Sequence, residues 1–570
     1  MKKSGLIVLL FFVFCHLNAN RIMVSNASSI NSRSWVAGDT IVMKNGTWTN
    51  QAISLKANGT VSDPIVLMAE TAGNVILNGT SRLSFSGNYV IVSGLYFKNG
   101  TLSGSAVIEF KTSELANNCT LKNSVISNYN PADNTVDSKW VSLFGTNNTV
   151  DHCSFENKTN AGTLMVVWLV SGVTVNHVIS NNYFGYRNAN VDSTGAEING
   201  QEIIRVGDSS TSMTTANVTV TGNYFEKCNG EIEVISNKSC GNSYRNNLFF
   251  ECHGMLTLRH GNNCTVDGNY FFGNGVSESG GVRIIGENHK VYNNYFDKLR
   301  GTGYRAGICM VRGKENSALN EYFQVKNALV TFNTFVDCSQ AFNINYNSSS
   351  TLTLPPIGSV IAHNHVFNST SSYNNVNIDQ NYVAGMDVTW KNNLMNQGKF
   401  TNFSYSSNQV ITGQVAKMTL IETAINMYEP ASGSALSNYT TAEYPEIQLD
   451  IRGRIRGTSK LPGASQINGN TTTYMPIKSN VGASYFNGIS TAINTTNTTT
   501  LLDTYSLNGK LFFQTSISGK LQIFDVAGKM MFHEEIRKDI PASFSLNKGI
   551  YIAKFNSNIG ILTSKKVIVE

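Results

Sequence analysis

The clearest rhythm in the chain is an Asn-x-Phe phrase with an aliphatic beat ahead of it. It stands at Asn182-Tyr183-Phe184, Asn223-Tyr224-Phe225, Asn247-Leu248-Phe249, Asn269-Tyr270-Phe271, Asn294-Tyr295-Phe296 and Asn333-Thr334-Phe335. Val218, Val266, Val291 and Val330 precede four of these, and between Asn223 and Asn294 the phrase returns about every 24 residues. A period of that size, built from short alternating segments and polar turns, predicts a solenoid with one coil per repeat. Ile232/Val234, Leu256/Leu258 and Val282/Ile284 fall at matching places in successive repeats. Alternation then buries an aliphatic ladder and sends Glu231, Glu233, Thr257 and Arg283 outward together. The recurring asparagines predict a hydrogen-bonded ladder at a turn, because Asn tolerates left-handed backbone and its amide satisfies backbone groups. Tyr270 and Phe271 are expected inside, as members of an aromatic stack and not as a sugar platform.

Composition agrees with coils. The chain has 570 residues with 48 Gly, 9 Pro and 14% charged residues, and no sustained 3.6-residue apolar period, which predicts an all-β solenoid with appendages. The net charge of +6 suits an acidic ligand, and the absence of a Lys/Arg-dense helix or stacked aromatic motif argues against nucleic acid. Lys2 and Lys3 ahead of the apolar run from Leu6 to Phe14, with Leu17-Asn18-Ala19 following, predict a cleavable export signal over residues 1–19. Phe14 before Cys15 makes a poor lipid-attachment site, and no other segment is long and apolar enough to span a bilayer. Eight cysteines remain after cleavage. Cys228 and Cys252, and likewise Cys240 and Cys264, lie one period apart, within reach of a disulfide or packed as buried thiols, the reading favoured here. No CxxC pair supports a zinc site.

The character of the chain changes near its C-terminus. A solenoid domain is placed over 20–465, ending in the loop-like Asp450-Ile451-Arg452-Gly453-Arg454 and Gly457, and a polar linker over 466–503 around Thr491–Thr500. From 504 to 570, Lys520-Leu521-Gln522-Ile523-Phe524-Asp525-Val526, Gly528-Lys529 and Gly549-Ile550-Tyr551-Ile552-Ala553-Lys554-Phe555 predict a small β-sandwich. These words resemble the C-terminal sorting domain of type IX secretion cargo, which implies export beyond the outer membrane and contact with the secretion machinery. An accessory carbohydrate-binding β-domain is the other reading.

The chemistry gathers between Asn199 and His260. Glu231 and Glu233 share a face by alternation, and Asn199 comes from an earlier coil. Two carboxylates and an amide oxygen are hard ligands suited to Ca²⁺. Lys238 follows a few residues later, and Arg259 and His260 about one coil later. Cations and oxygen ligands on one rigid wall suit an anionic polysaccharide. In a uronic-acid polymer the C5 proton sits beside a carboxylate, whose charge opposes carbanion formation. Neutralising that carboxylate with Ca²⁺ and Arg stabilises the developing charge. A lysine disfavoured in its charged form by those cations can then remove the proton, and departure of the C4 oxygen completes β-elimination.

The words Asn199-Gly200-x-Glu202-x-Ile204-Arg205-x-Gly207, Gly230-Glu231-Ile232-Glu233-x-Ile235-Ser236-Asn237-Lys238-Ser239, Leu258-Arg259-His260-Gly261 and Gly281-Val282-Arg283-Ile284-Ile285-Gly286 closely resemble polysaccharide lyase family 6. Ala37-Gly38-Asp39-Thr40-Ile41-Val42 with Lys44-Asn45-Gly46-Thr47-Trp48 resembles its first coil. That family holds alginate lyases and the dermatan-degrading chondroitinase B on a right-handed single-stranded parallel β-helix. The resemblance implies that Asn199, Glu231 and Glu233 hold calcium, Lys238 is the general base and Arg259 the general acid. Since a guanidinium rarely yields its proton, charge stabilisation is the easier role for Arg259. His260 is then placed along the cleft, Arg205 and Arg283 either pair with Glu233 or bind sugar carboxylates, and Arg305, Arg312 and Glu321 stand at further subsites. Alginate is the substrate the family favours, with dermatan sulfate as the alternative. A noncatalytic glycan-binding solenoid is a second alternative, and a hydrolase is disfavoured because Glu231 and Glu233 leave no place for a leaving group. The protein is expected to be a monomer.

Overall fold

A computed structural model describes residues 20–569 apart from 103–105, 192–193, 196, 348, 413–417, 422–424, 468–473, 487–501, 508–509, 516–517, 526–528, 538–541, 548 and 558–561. The expected export signal, the Thr491–Thr500 linker and the turn at 526–528 lie outside the described residues. Three 14-stranded sheets, each made of parallel strands taken in turn from successive coils, form a parallel β-helix. One sheet carries Ile204–Gly207, Glu233–Lys238, Met255–His260, Val282–Ile284 and Ile308–Val311 side by side. The site is built on its outer face.

The asparagine ladder is present and extends beyond the six repeats. From Asn182 through Asn223, Asn247, Asn269, Asn294, Asn333 and Asn364, each amide nitrogen and backbone N–H donates to Oδ1 of the next, ending at Asn393. The left-handed position is the preceding residue, such as Asn181, Asn246 or Asn293 with φ of 53°, 53° and 56°. Two adjacent residues therefore divide the work, one turning the chain and the other satisfying buried groups. Inside, Phe155, Phe184, Phe225, Phe249, Phe271, Phe296 and Phe335 stack ring on ring at 4.5–5.2 Å. Phe271 is in that stack, whereas Tyr270 faces the opposite way and donates to the Ile451 carbonyl at 3.0 Å.

The aliphatic ladder runs in a different register from the expected one. Ile204, Ile235, Leu256, Val282 and Ile308 form one inward row, and Val206, Asn237, Leu258, Ile284 and Met310 the next. Ile232 and Val234 are not the partners of Leu256 and Leu258, because two β-bulges bracket the pairing. Val234 is an extra residue between Glu233 and Ile235, and Arg259 is an extra residue opposite the Asn237–Lys238 step. A bulge re-aims neighbouring side chains, which strict alternation cannot anticipate. Asn237 thus occupies a core row, where its amide donates to the Ser239 and His260 carbonyls and accepts from Asn242 and the Tyr244 hydroxyl. Among the described residues, the eight cysteines are buried and unpaired with one another as disulfides.

The helical unit reaches further along the chain than the expected boundary near 465. Residues 474–486 return along the third sheet: Met475 and Val481 pack with Tyr183 and Tyr224, and Ala483 N–H donates to Ser154 Oγ at 2.9 Å. Tyr485 stands beside Tyr96 and donates to the Leu95 carbonyl at 2.8 Å. The C-terminal unit has a three-stranded and a four-stranded antiparallel sheet closing over Phe513, Leu521, Ile523, Phe544, Ala553 and Phe555, a small β-sandwich with its own core.

Candidate functional site

Three glutamates meet on the outer face. One carboxylate oxygen from each of Glu202, Glu231 and Glu233 lies within 4.8 Å of the others, and all three side chains are buried. The bulge at Val234 makes the geometry possible: Val234 and Ile235 both turn into the core, so Glu233 and Ser236 both face out although only two residues separate them. Ser236 Oγ donates to Glu233 Oε2 at 2.5 Å, and Arg283 Nη2 bonds Glu233 Oε1. Glu231 Oε2 accepts from the Gly200 and Gln201 backbone N–H groups at 2.7 and 2.9 Å. Asn199 adjoins this contact, its Oδ1 receiving the same Gly200 N–H at 2.9 Å. Thr163 Oγ1 donates to Glu202 Oε2 at 2.6 Å. Behind Glu202, the buried Arg187 guanidinium ties the Glu202 carbonyl to those of Asn160 and Gly162.

The electrostatics are unbalanced in a way that suits a cation. Burial, and then the charges of Glu202 and Glu233, push the Glu231 carboxyl up to about 8. Three oxygen donors of this kind fit a hard divalent ion and do not fit the nitrogen and sulfur preferences of zinc or copper. Glu202 was not among the residues picked as ligands from sequence. It stands in the run Asn199-Gly200-Gln201-Glu202, but a turn gives no periodicity from which a direction can be read.

Lys238 lies at the edge of the cluster, its Nζ 3.7 Å from Glu202 Oε1, with about a fifth of its side chain exposed. It is paired in register with His260 across the second bulge, so the extra residue Arg259 projects beside it. Arg259 Nη1 donates to the Glu321 carbonyl at 2.8 Å, and its guanidinium lies 4.2 Å from the centre of the Tyr322 ring. Burial holds Arg259 below the usual arginine range. His260 is buried against Ser209, with Nε2 3.2 Å from its hydroxyl. Burial, and then Arg259, Lys238 and Arg283, push it down to about 3, so it is a neutral imidazole.

The remaining expected residues divide. Arg283 pairs with Glu233, and Arg205 lies over the Trp168 ring at 5.5 Å on the adjoining coil, so the two do not flank Glu233 alike. Arg305 is bound by Glu278 and by the Tyr304 hydroxyl. Arg312 is fully buried, donating to the Asn381 carbonyl at 2.5 Å. The carboxylate of Glu321 pairs with Lys314, and its main chain holds Arg259. Glu231 and Glu233 thus meet with Glu202, Lys238 stands at the edge of that cluster, Asn199 adjoins it through the Gly200 N–H, and Arg259 and His260 lie on the neighbouring strand, while Arg305 and Arg312 are engaged by other protein groups.

Comparison with known proteins supplies the family. Residues 24–444 match the family model described as chondroitinase B, and residues 503–570 match the secretion system C-terminal sorting domain. The solved alginate lyase AlyGC of polysaccharide lyase family 6 superposes with a TM-score of 0.65 at 33% identity, covering 72% of this chain and 55% of that one. A mannuronic acid specific family 6 lyase from human gut microbiota gives 0.60 at 28%, covering 68% and 88%. The family 6 lyase Pedsa3628 from Pseudopedobacter saltans gives 0.59 at 26%, covering 81% and 99%. The chain spans a little over half the length of AlyGC. No curated protein matches. With a family model covering most of the chain and a β-helix that carries the acidic cluster beside Lys238 and Arg259, this protein belongs to the chondroitinase B family, polysaccharide lyase family 6.

Proposed function

We propose that the protein is an exported lyase that cleaves a uronic-acid polymer, alginate in the first place, by β-elimination. The observation that carries this reading is the meeting of three buried glutamates with Lys238, beside which Arg259 stands at a bulge of the neighbouring strand. Glu202, Glu231 and Glu233, with Asn199 beside them, are the residues that would hold calcium. When bound, the ion would neutralise the sugar carboxylate and so acidify the proton at C5. Lys238 faces the same place and is the residue that takes that proton. Arg259, held against Tyr322 and the Glu321 carbonyl, presents fixed positive charge to the C4 oxygen as it leaves, with solvent or the sugar supplying its proton. The neutral His260 orients the groove beside it and does not titrate at ordinary pH. Alginate is supported by neighbours of 26–33% identity, of which AlyGC is described as an alginate lyase and another as specific for mannuronic acid. Export is supported by the C-terminal sorting domain.

The test is ultraviolet absorbance of unsaturated product from poly-mannuronate, poly-guluronate and dermatan sulfate, with calcium and with chelator. The expected result is absorbance on alginate, abolished by Lys238→Ala. Product from dermatan sulfate alone moves the substrate to the chondroitinase type. Full activity of Lys238→Ala removes the assigned base, and no product on any polymer leaves a glycan-binding solenoid.

A further inference from the structure

The face that bears the glutamates carries a second arrangement that the elimination does not use. Lys111, Phe144 and Trp168 follow the strands Ala106–Glu109, Lys139–Leu143 and Met165–Val167, and Arg205 lies within Ile204–Gly207. These are four successive strands of one sheet, and the last pairs with Glu233–Lys238. Register sets Ser142 beside Val166 and Val166 beside Arg205, so alternation sends Phe144 and Trp168 outward with Arg205. Their side chains form a column. Lys111 Nζ lies 5.0 Å from the Phe144 ring centre, and the Phe144 and Trp168 rings stack at 5.9 Å with planes 9° apart. The Arg205 guanidinium then covers Trp168 at 5.5 Å, and the indole N–H is fixed on Ser142 Oγ at 3.1 Å.

Each ring has a cation on one face and the other ring on its second face, so neither offers a stacking surface to a sugar. What the column does is hold two cations at its ends. Lys111 is exposed and Arg205 half-buried, and among the described residues neither is in an ion pair, Glu109 on the same face included. Of the other arginines expected along this wall, Arg283 is neutralised by Glu233, Arg305 by Glu278, and Arg312 is enclosed in the interior near Asp379. Arg205 also keeps a buried Nε without a hydrogen-bond partner. Cations steadied by aromatic faces and left without carboxylates suit an anionic ligand from solution.

We propose that this column is an arm that extends the glycan groove beyond Arg205, whose contact with a sugar carboxylate the family resemblance already implies, so that Lys111 takes a further carboxylate of the same uronate chain whose scissile sugar lies at the glutamate cluster. The placement of the scissile sugar rests on the lyase reading above. Lys111 and Arg205 stand three coils apart, about 14 Å at about 4.8 Å per coil, so both are engaged only by a chain of several sugars. The arm therefore selects for length.

The test compares trimers and octamers of mannuronate and guluronate on the full chain, wild type against Lys111→Gln and Trp168→Leu, with melting temperature as the check on folding. The expected result is a severalfold fall in the octamer-to-trimer ratio of kcat/KM, carried by KM, which shrinks at high salt. An unchanged ratio in a folded Lys111→Gln variant overturns the arm and leaves the lyase reading in place. Should no polymer be cut, calorimetric titration with octamers decides separately: weaker binding by Lys111→Gln upholds the arm without the lyase reading, and equal or absent binding overturns it.

Discussion

At the scale of single residues, the site is an arrangement of charge that the protein alone leaves incomplete. Glu231 is raised from the ordinary 4.5 to about 8, so the metal-free folded protein keeps a proton there that the unfolded chain has already lost. Stability from this group is fully present below about 4.5 and is lost as pH rises through about 8. Melting temperature without metal is therefore expected to fall across that window. Calcium, which must displace the proton, is expected to bind more tightly and to raise the melting temperature more as pH climbs through it. Differential scanning at a series of pH values, with calcium and with chelator, reads both slopes, and a calcium gain that shrinks with rising pH contradicts the assignment. Arg283 is the opposing element. Its removal in Arg283→Ala leaves a buried carboxylate unpaired, which costs about 3–5 kcal/mol in the metal-free protein. The same change adds negative charge to the cluster, so the calcium-induced gain in melting temperature should exceed that of the wild type.

At the scale of the coil, neighbouring asparagines have different tasks, and mutation should separate them. Asn247 accepts from the Asn223 N–H and amide and donates to Val220 and Asn269, all buried. Asn247→Ala strands these groups at roughly 1–3 kcal/mol for each one left unsatisfied. Asn246 supplies left-handed backbone at φ 53°, a conformation glycine adopts freely, so Asn246→Gly should change stability by less than about 1 kcal/mol. Chemical denaturation of the two variants makes the comparison, and equal losses would deny the division of labour. The same coils show what could be read from the amino-acid order. The Asn-x-Phe phrase marked the ladder and the phenylalanine stack because each is a strict repeat. The bulges at Val234 and Arg259 could not be read, since an extra residue leaves the alternation on either side intact while shifting its phase. That is why Glu231, Glu233, Lys238 and Arg259 were singled out through a family's words and not through the period, while Ile232 and Val234 were assigned to the wrong row. Glu202, though part of those words, was not chosen as a ligand for a related reason, lying in a turn where no period constrains direction.

For the helical unit taken whole, the chain beyond residue 465 decides how its third sheet is covered. Tyr183 and Tyr224 point outward from that sheet, and without a cover they would leave a strip of aromatic surface in water. Residues 474–486 supply the cover with Met475 and Val481, the Lys478–Glu226 pair at 2.6 Å, and Tyr485 and Phe486 against Tyr96. These contacts join residues more than 250 positions apart, from Tyr96, Ser154 and Tyr183 at one end to Tyr485 at the other. Nothing in the local composition of 466–503 announces this, because the anchoring residues are few and set among polar ones. The consequence is measurable. A chain ended after Ser465, where the sequence placed the end of the solenoid, should melt several degrees below one ended after Phe486 and be cut earlier by protease near Tyr183 and Tyr224. Both should keep the elimination activity proposed here, since the glutamate cluster stands on a different sheet from the covered tyrosines. If the two chains melt alike, residues 474–486 contribute no net stability, and the cover is an incidental resting place for a linker.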